Sequence, residues 1–170
     1  MIETSRCKLL HVAENDYEDV IQLFVNEQVR QYLGGTIENE IVLKKKFEDI
    51  LNRSKNGSHF WVIRTIDNHD FIGLVSLDTY HDNTNTEVSY EILPQWWGLG
   101  YATEVIGALT DYAFDELRLD MLFAETQTAN TRSCKLLERI GMTLIDRLHR
   151  FGAEQSVYCL KREDRNNTCI

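Results

Sequence analysis

A chain of 170 residues, 43% hydrophobic and 26% charged, has the size and balance of one soluble domain with a single sizeable core. Its formal net charge of −9 argues against nucleic acid or an anionic membrane as a main partner and is compatible with a cationic one. No apolar run approaches the roughly 18–20 residues that span a bilayer, residues 1–6 lack a secretory layout, and Cys7, Cys134, Cys159 and Cys169 show no metal-ligand spacing; the expectation is a cytoplasmic protein with free thiols and no metal.

Residues 6–12 read as a first strand. Asn15 or Asp16 then offers an N-cap for a helix through Val20, Ile21, Phe24 and Val25. Residues 29–35 break at Gly34 and Gly35, and a second helix is expected over about 38–53, carrying Ile41, Val42, Phe47, Ile50 and Leu51. Apolar runs at 60–63 and 71–75 flank a polar turn at 67–70, which predicts an antiparallel hairpin. A second turn at 82–85 leads into an alternating strand at 87–93. Beyond a glycine-bearing loop, Ala102, Val105, Ile106, Leu109, Ala113 and Leu117 recur at helical spacing. A strand at 121–126, a short helix at 131–140 ended by Gly141, and strands near 144–150 and 156–161 complete the chain. Residues from 164 onward are polar and expected to fray.

This order predicts an α+β fold with about seven strands and four helices. It has no repeat or linker, so one domain is expected over residues 1–170, with its core at about 4–163.

The loop at 93–103 carries the chemistry. A strand ends at the only proline, Pro94; glycines follow at Gly98 and Gly100; and a helix opens at or just after Gly100. The first turn of a helix offers unpaired N–H groups and a partial positive charge, and glycines let a ligand approach the backbone, so the loop is a candidate diphosphate cradle. A dinucleotide fingerprint would need glycine where Thr103 stands, and a P-loop would need lysine where Tyr101 stands. Neither fits.

The pattern Gln95-x-x-Gly98-x-Gly100-Tyr101-Ala102 resembles the acyl-CoA pyrophosphate loop of the GNAT superfamily of N-acetyltransferases. The longer string from Trp97 to Glu104, with Asn130, Ser133, Gly141 and Met142 downstream, is similar to the ribosomal-protein N-terminal acetyltransferase (RimJ/RimL-type) branch. The likeness runs from about residue 4 to 163. It implies a mixed, mostly antiparallel sheet whose central strands, here 87–93 and 121–126, splay apart to admit acetyl-CoA. It also implies that backbone at Ile92 and Leu93 pairs with the pantetheine arm. Gln95, Trp96, Trp97, Gly98, Leu99, Gly100, Tyr101, Ala102 and Thr103 would then form the pyrophosphate loop. No basic residue lies in that loop, so the diphosphate charge would fall to the helix terminus alone or to Arg132 and Lys135.

Asn130 reads either as an N-cap or as a partner of the pantetheine arm. Ser133 shares a helix face with Leu137 and Ile140; it bonds nearby backbone or assists the departing thiolate, since the position matching the family's tyrosine acid is Leu137. Alternation puts Glu87, Ser89 and Glu91 on one strand face and Val88, Tyr90 and Ile92 on the other. Glu91 is then either the base that takes the amine proton through water or a solvated carboxylate. A strand bulge, which the family has near here, would reverse that alternation. Glu104 reads as a structural anchor, and residues 29–35 bound the acceptor side.

The expected activity is direct acetyl transfer from acetyl-CoA to a primary amine. A protein N-terminal α-amine is the first choice of acceptor, and a polyamine, amino acid or aminoglycoside is the rival. A non-catalytic acyl-CoA-binding module and a nucleotide-binding protein are the readings from other classes. A monomer or homodimer is expected.

Overall fold

Residues 71–77 are apolar except for Ser76, and all seven are buried, because helices cover both sides of the sheet at this strand. The computed structural model describes residues 1–167. It contains strands β1 (Ile2–Glu3), β2 (Cys7–His11), β3 (His59–Thr65), β4 (Phe71–Thr79), β5 (Thr86–Ile92), β6 (Met121–Gln127), β7 (Thr143–Arg150) and β8 (Ala153–Lys161). The helices are α1 (Tyr17–Val25), α2 (Glu27–Arg30), α3 (Glu40–Lys55), α4 (Tyr101–Asp115) and α5 (Thr131–Arg139). This is the α+β architecture expected, with one strand and one helix more.

Both additions have a physical reason. Strand β1 is too short for a periodic signal and exists by pairing Ile2 and Glu3 with Leu9 and Lys8. Helix α2 is a single turn, capped where Asn26 Oδ1 accepts from the Val29 N–H at 3.1 Å. The tail also departs from expectation. Residues 162–167 form a 3-10 helix, with Arg162 donating to the Leu119 carbonyl and Arg165 paired with Asp111 and Asp115. Cys169 lies outside the described residues.

The sheet order is β1-β2-β3-β4-β5-β6-β8-β7, antiparallel except between β5 and β6. On one face Val105, Ile106 and Leu109 of α4 and Leu137 of α5 pack with Leu9, Trp61, Ile63 and Tyr158. On the other, Val20, Leu23, Phe24, Leu43, Phe47 and Ile50 of α1 and α3 pack with Phe60, Val62 and Leu74. Among the described residues no helix is long and apolar enough to cross a membrane.

The central feature is the short parallel ladder. β5 and β6 pair only at Thr86 with Leu122 and Glu87 with Phe123. Beyond that point β5 stays with β4 as far as Ile92, and β6 stays with β8 as far as Gln127. The two strands therefore diverge and leave an opening, as the resemblance implied. The expected bulge is not in β5: its ladder with β4 is regular from Thr86 to Ile92, so the alternation of faces holds along the strand. Gly73 allows the close approach here, because a Cβ would sit 2.2 Å from the Glu91 carbonyl oxygen.

Candidate active site

The loop between β5 and α4 rests on its glycines. Gly98 at φ 75° and Gly100 at φ 85° hold left-handed backbone that other residues enter only with strain. Gly100 caps α4, and the helical ladder opens where the Glu104 N–H donates to the Gly100 carbonyl at 3.1 Å. The N–H groups of Tyr101, Ala102 and Thr103 therefore face out of the helix end. Both tryptophans hold the loop to the sheet: the Trp96 indole N–H donates to the Phe71 carbonyl at 3.0 Å, and that of Trp97 to the Ile92 carbonyl at 2.7 Å. Gln95 lies in the 3-10 turn between strand and glycines, and Leu99 is exposed.

The uncharged loop has cations beside it. The Arg132 guanidinium lies 4.2 Å above the Trp97 ring, and Lys135 is exposed one turn further along the same face of α5. Arg6 was not foreseen. Its Nη1 donates to the Leu99 carbonyl at 3.0 Å, its Nε to Glu104 at 2.8 Å, and its guanidinium covers the Tyr101 ring at 4.1 Å. Glu104 also accepts from the Thr4 hydroxyl at 2.6 Å, the Ser5 hydroxyl at 3.0 Å and the Arg6 N–H at 2.8 Å. Burial pushes this carboxyl up, but those donors outweigh it and hold it at about 2. Glu104 is an anchor, as its place in the first turn suggested. Nothing local in the sequence could reveal a contact across more than ninety residues.

The Leu93 N–H donates to the Ile72 carbonyl at 2.9 Å, and its own carbonyl accepts from the Trp96 N–H at 3.0 Å, which leaves that carbonyl one further lone pair. Alternation along the ladder turns the N–H and carbonyl of Ile92 toward β6 instead. The carbonyl is taken by Trp97, which leaves the Ile92 N–H.

On the side of α4 and α5, Tyr90 and Ser133 meet with 2.6 Å between hydroxyl oxygens. Ser133 is 9% exposed, at the first turn of α5, where its N–H is capped by Asn130 Oδ1 at 3.2 Å. The capping reading of Asn130 is thus realised in the structure. Tyr90 escaped the sequence reading, although a phenol on the otherwise aliphatic face of β5 needs a partner for its hydroxyl. Leu137 is 1% exposed and belongs to the core.

On the opposite side lies Glu91. Its Oε2 is buried without a hydrogen bond, and the nearest cation is Arg30 Nη1 at 4.0 Å. Burial raises this carboxyl above the ordinary range, while Arg30 and Lys46 oppose the rise. Arg30 also donates to the carbonyls of Leu33 and Gly35, and Gln127 at the end of β6 donates to the Tyr32 carbonyl at 3.1 Å. The segment after α2 is therefore held across the opening beside Glu91. Lower in the wedge, burial and the Glu125 charge raise Glu87 to about 7. Glu125 accepts from the Tyr80 hydroxyl at 2.8 Å and pairs with Arg150 at 3.4 Å.

Cys7 and Cys159 are buried, and burial pushes both thiols up, which makes them poor nucleophiles. The arrangement suits a ligand with an anionic head at the glycine loop and a polar arm in the opening, with a carboxylate waiting on the far side.

Comparison with known proteins gives the same picture. A family model described as an acetyltransferase (GNAT) domain matches residues 6–143. An uncharacterized N-acetyltransferase of Bacillus subtilis, YoaA, is 31% identical over 146 residues, covering 83% of this chain and 81% of that protein. The structure of an acetyltransferase from Agrobacterium tumefaciens superposes with a TM-score of 0.81 at 25% identity, over 95% of this chain and 94% of that one. A spermidine N-acetyltransferase from Vibrio cholerae, solved with CoA and spermine, shares the fold at a TM-score of 0.81 and 20% identity, over 96% and 99% of the two chains.

Proposed function

The chain belongs to the GNAT acetyltransferase family, and on that premise we propose that it moves the acetyl group of acetyl-CoA directly onto a primary amine held beside Glu91. One observation carries the reading: β5 and β6 part after Glu87 and Phe123, between the glycine loop on one side and Glu91 on the other. The N–H groups of Tyr101, Ala102 and Thr103, with Arg132 and Lys135, hold the pyrophosphate. The Ile92 N–H faces the thioester oxygen and favours the charge that develops there. Glu91 draws the proton from the amine through water, and its raised pKa brings it nearer to working pH. The amine nitrogen bonds to the acetyl carbon, the carbon–sulfur bond breaks, and its electron pair leaves on sulfur beside Ser133. The protein is one catalytic domain acting in the cytoplasm, as a monomer or homodimer.

The acceptor is a protein N-terminal α-amine, the reading supported by likeness to the RimJ/RimL-type branch. A second reading, a polyamine, is favoured by the carboxylates Glu87 and Glu125 below Glu91, which suit a second ammonium. Thiol release from acetyl-CoA is the test, with short peptides of free N-terminus and spermine as rival acceptors. Turnover with peptide alone supports the first reading, and turnover with spermine alone the second. Binding of acetyl-CoA without turnover on any amine tried would favour a non-catalytic module.

A further inference from the structure

The contact between Tyr90 and Ser133 joins β5, beyond its last pair with β6, to the first turn of α5. Tyr90 stands three residues beyond the last β5–β6 pair, on the face toward α5, and its hydroxyl reaches Ser133 Oγ at 2.6 Å. The two oxygens share one hydrogen bond, and which one donates decides what Ser133 can do next. A phenol is a far stronger donor than an alcohol, and an alcohol oxygen is the better acceptor. Burial raises Tyr90 to about 12 against the opposing effect of the Ser133 hydrogen bond, so it keeps its proton at any working pH. The 2.6 Å contact admits either donor, and the stronger acid, Tyr90, is assigned that role. With Ser133 Oγ as the acceptor, its own hydroxyl hydrogen is left to give, and among the described residues Oγ contacts no polar partner other than Tyr90.

We propose that Tyr90 is a positioning residue that keeps the Ser133 hydroxyl as a standing donor toward the sulfur of CoA. This rests on the reading that the thioester lies between β5 and β6. In the reaction, the amine lone pair forms the carbon–nitrogen bond, and the electrons of the carbon–sulfur bond go to sulfur. The thiolate accepts a hydrogen bond from Ser133 Oγ–H. No proton passes through Tyr90; the amine's proton leaves by way of Glu91, and the thiolate takes its proton from water. A donor fixed on sulfur favours the charged leaving group over the neutral thioester, which is where it gains rate.

The test uses CoA itself and needs no acceptor. Affinities for CoA and for desulfo-CoA, which lacks the thiol, are measured by calorimetry from about pH 6.5 to 10 for wild type, Tyr90→Phe and Ser133→Ala. If Ser133 donates to sulfur, the bound thiol titrates about one unit below the free one. The ratio of CoA to desulfo-CoA affinity then rises about tenfold across that range. The rise should vanish in both variants while desulfo-CoA affinity stays within about twofold, which also shows that the variants are folded. A flat ratio in wild type, or a full rise in Tyr90→Phe, overturns the inference and leaves the acyl-CoA site standing. Failure of wild type to bind either compound would instead remove the site on which both rest.

Discussion

Glu104→Gln tests the strap that ties the N-terminal segment to the candidate pyrophosphate loop. The native carboxylate accepts four hydrogen bonds, from Thr4, Ser5 and twice from Arg6, and is held at about 2 against an ordinary 4.5. That displacement corresponds to about 3.4 kcal/mol. Solvent around the exposed Ser5 and Arg6 screens part of it, so a loss of about 2 kcal/mol is expected for the variant at neutral pH. For a chain of this length the midpoint of thermal unfolding should fall by roughly 4–8 °C. A carboxyl with a depressed folded-state pKa stabilises fully above its unfolded value and loses that contribution as pH falls toward the folded one. The gap between wild type and variant should therefore be full at pH 6–7, begin to close below about pH 4.5 and be mostly gone near pH 2. Melts of both proteins across this range are the assay. A gap under about 0.5 kcal/mol at neutral pH, or one that does not close in acid, would refute the assignment of Glu104 as a charged anchor.

Three further outcomes follow from the site. Gly100→Ala places a Cβ in left-handed backbone and 3.4 Å from Arg6 Nη2, so it should cost about 1–2 kcal/mol and weaken acetyl-CoA binding, read by melts and calorimetry. Glu91→Gln should lower kcat by roughly 10²–10⁴ while leaving acetyl-CoA binding intact, and the acid limb of the wild-type rate should lie above the ordinary glutamate range; unchanged kcat would assign the proton to water alone. Glu87, raised to about 7, costs stability as pH rises from about 4.5 through 7, so Glu87→Gln should gain about 2 kcal/mol at pH 8 and little at pH 5, and an equal gain at both would count against burial as the cause.

Most of the fold was legible because its elements announce themselves locally. The helical spacing from Ala102, the breaks at Gly34 and Gly35, and the turn chemistry at 67–70 and 82–85 each settle a boundary within a few residues. Strand β1 and helix α2 escaped because a two-residue strand and a one-turn helix are too short to show a period. The glycine loop was legible as a motif, and alternation placed Tyr90 and Glu91 on the correct faces of β5. Alternation gives a direction but not a partner. That is why the Ser133 contact, 43 residues away, and the Arg6 strap could not be read. The edge to which Leu93 turns its N–H was not legible for a similar reason: it depends on ladder register, and only the pairing with Ile72 fixes that.

The central claim is that acetyl-CoA occupies the opening between β5 and β6 at the glycine loop, and a thermal melt with acetyl-CoA, with ATP and NAD as controls, tests it most directly. Ligand at a hundredfold its dissociation constant adds about 2.7 kcal/mol, which for this length raises the midpoint by roughly 5–11 °C. The account predicts that rise with acetyl-CoA and not with the two nucleotides. No rise at millimolar acetyl-CoA, or an equal rise with ATP, would contradict it.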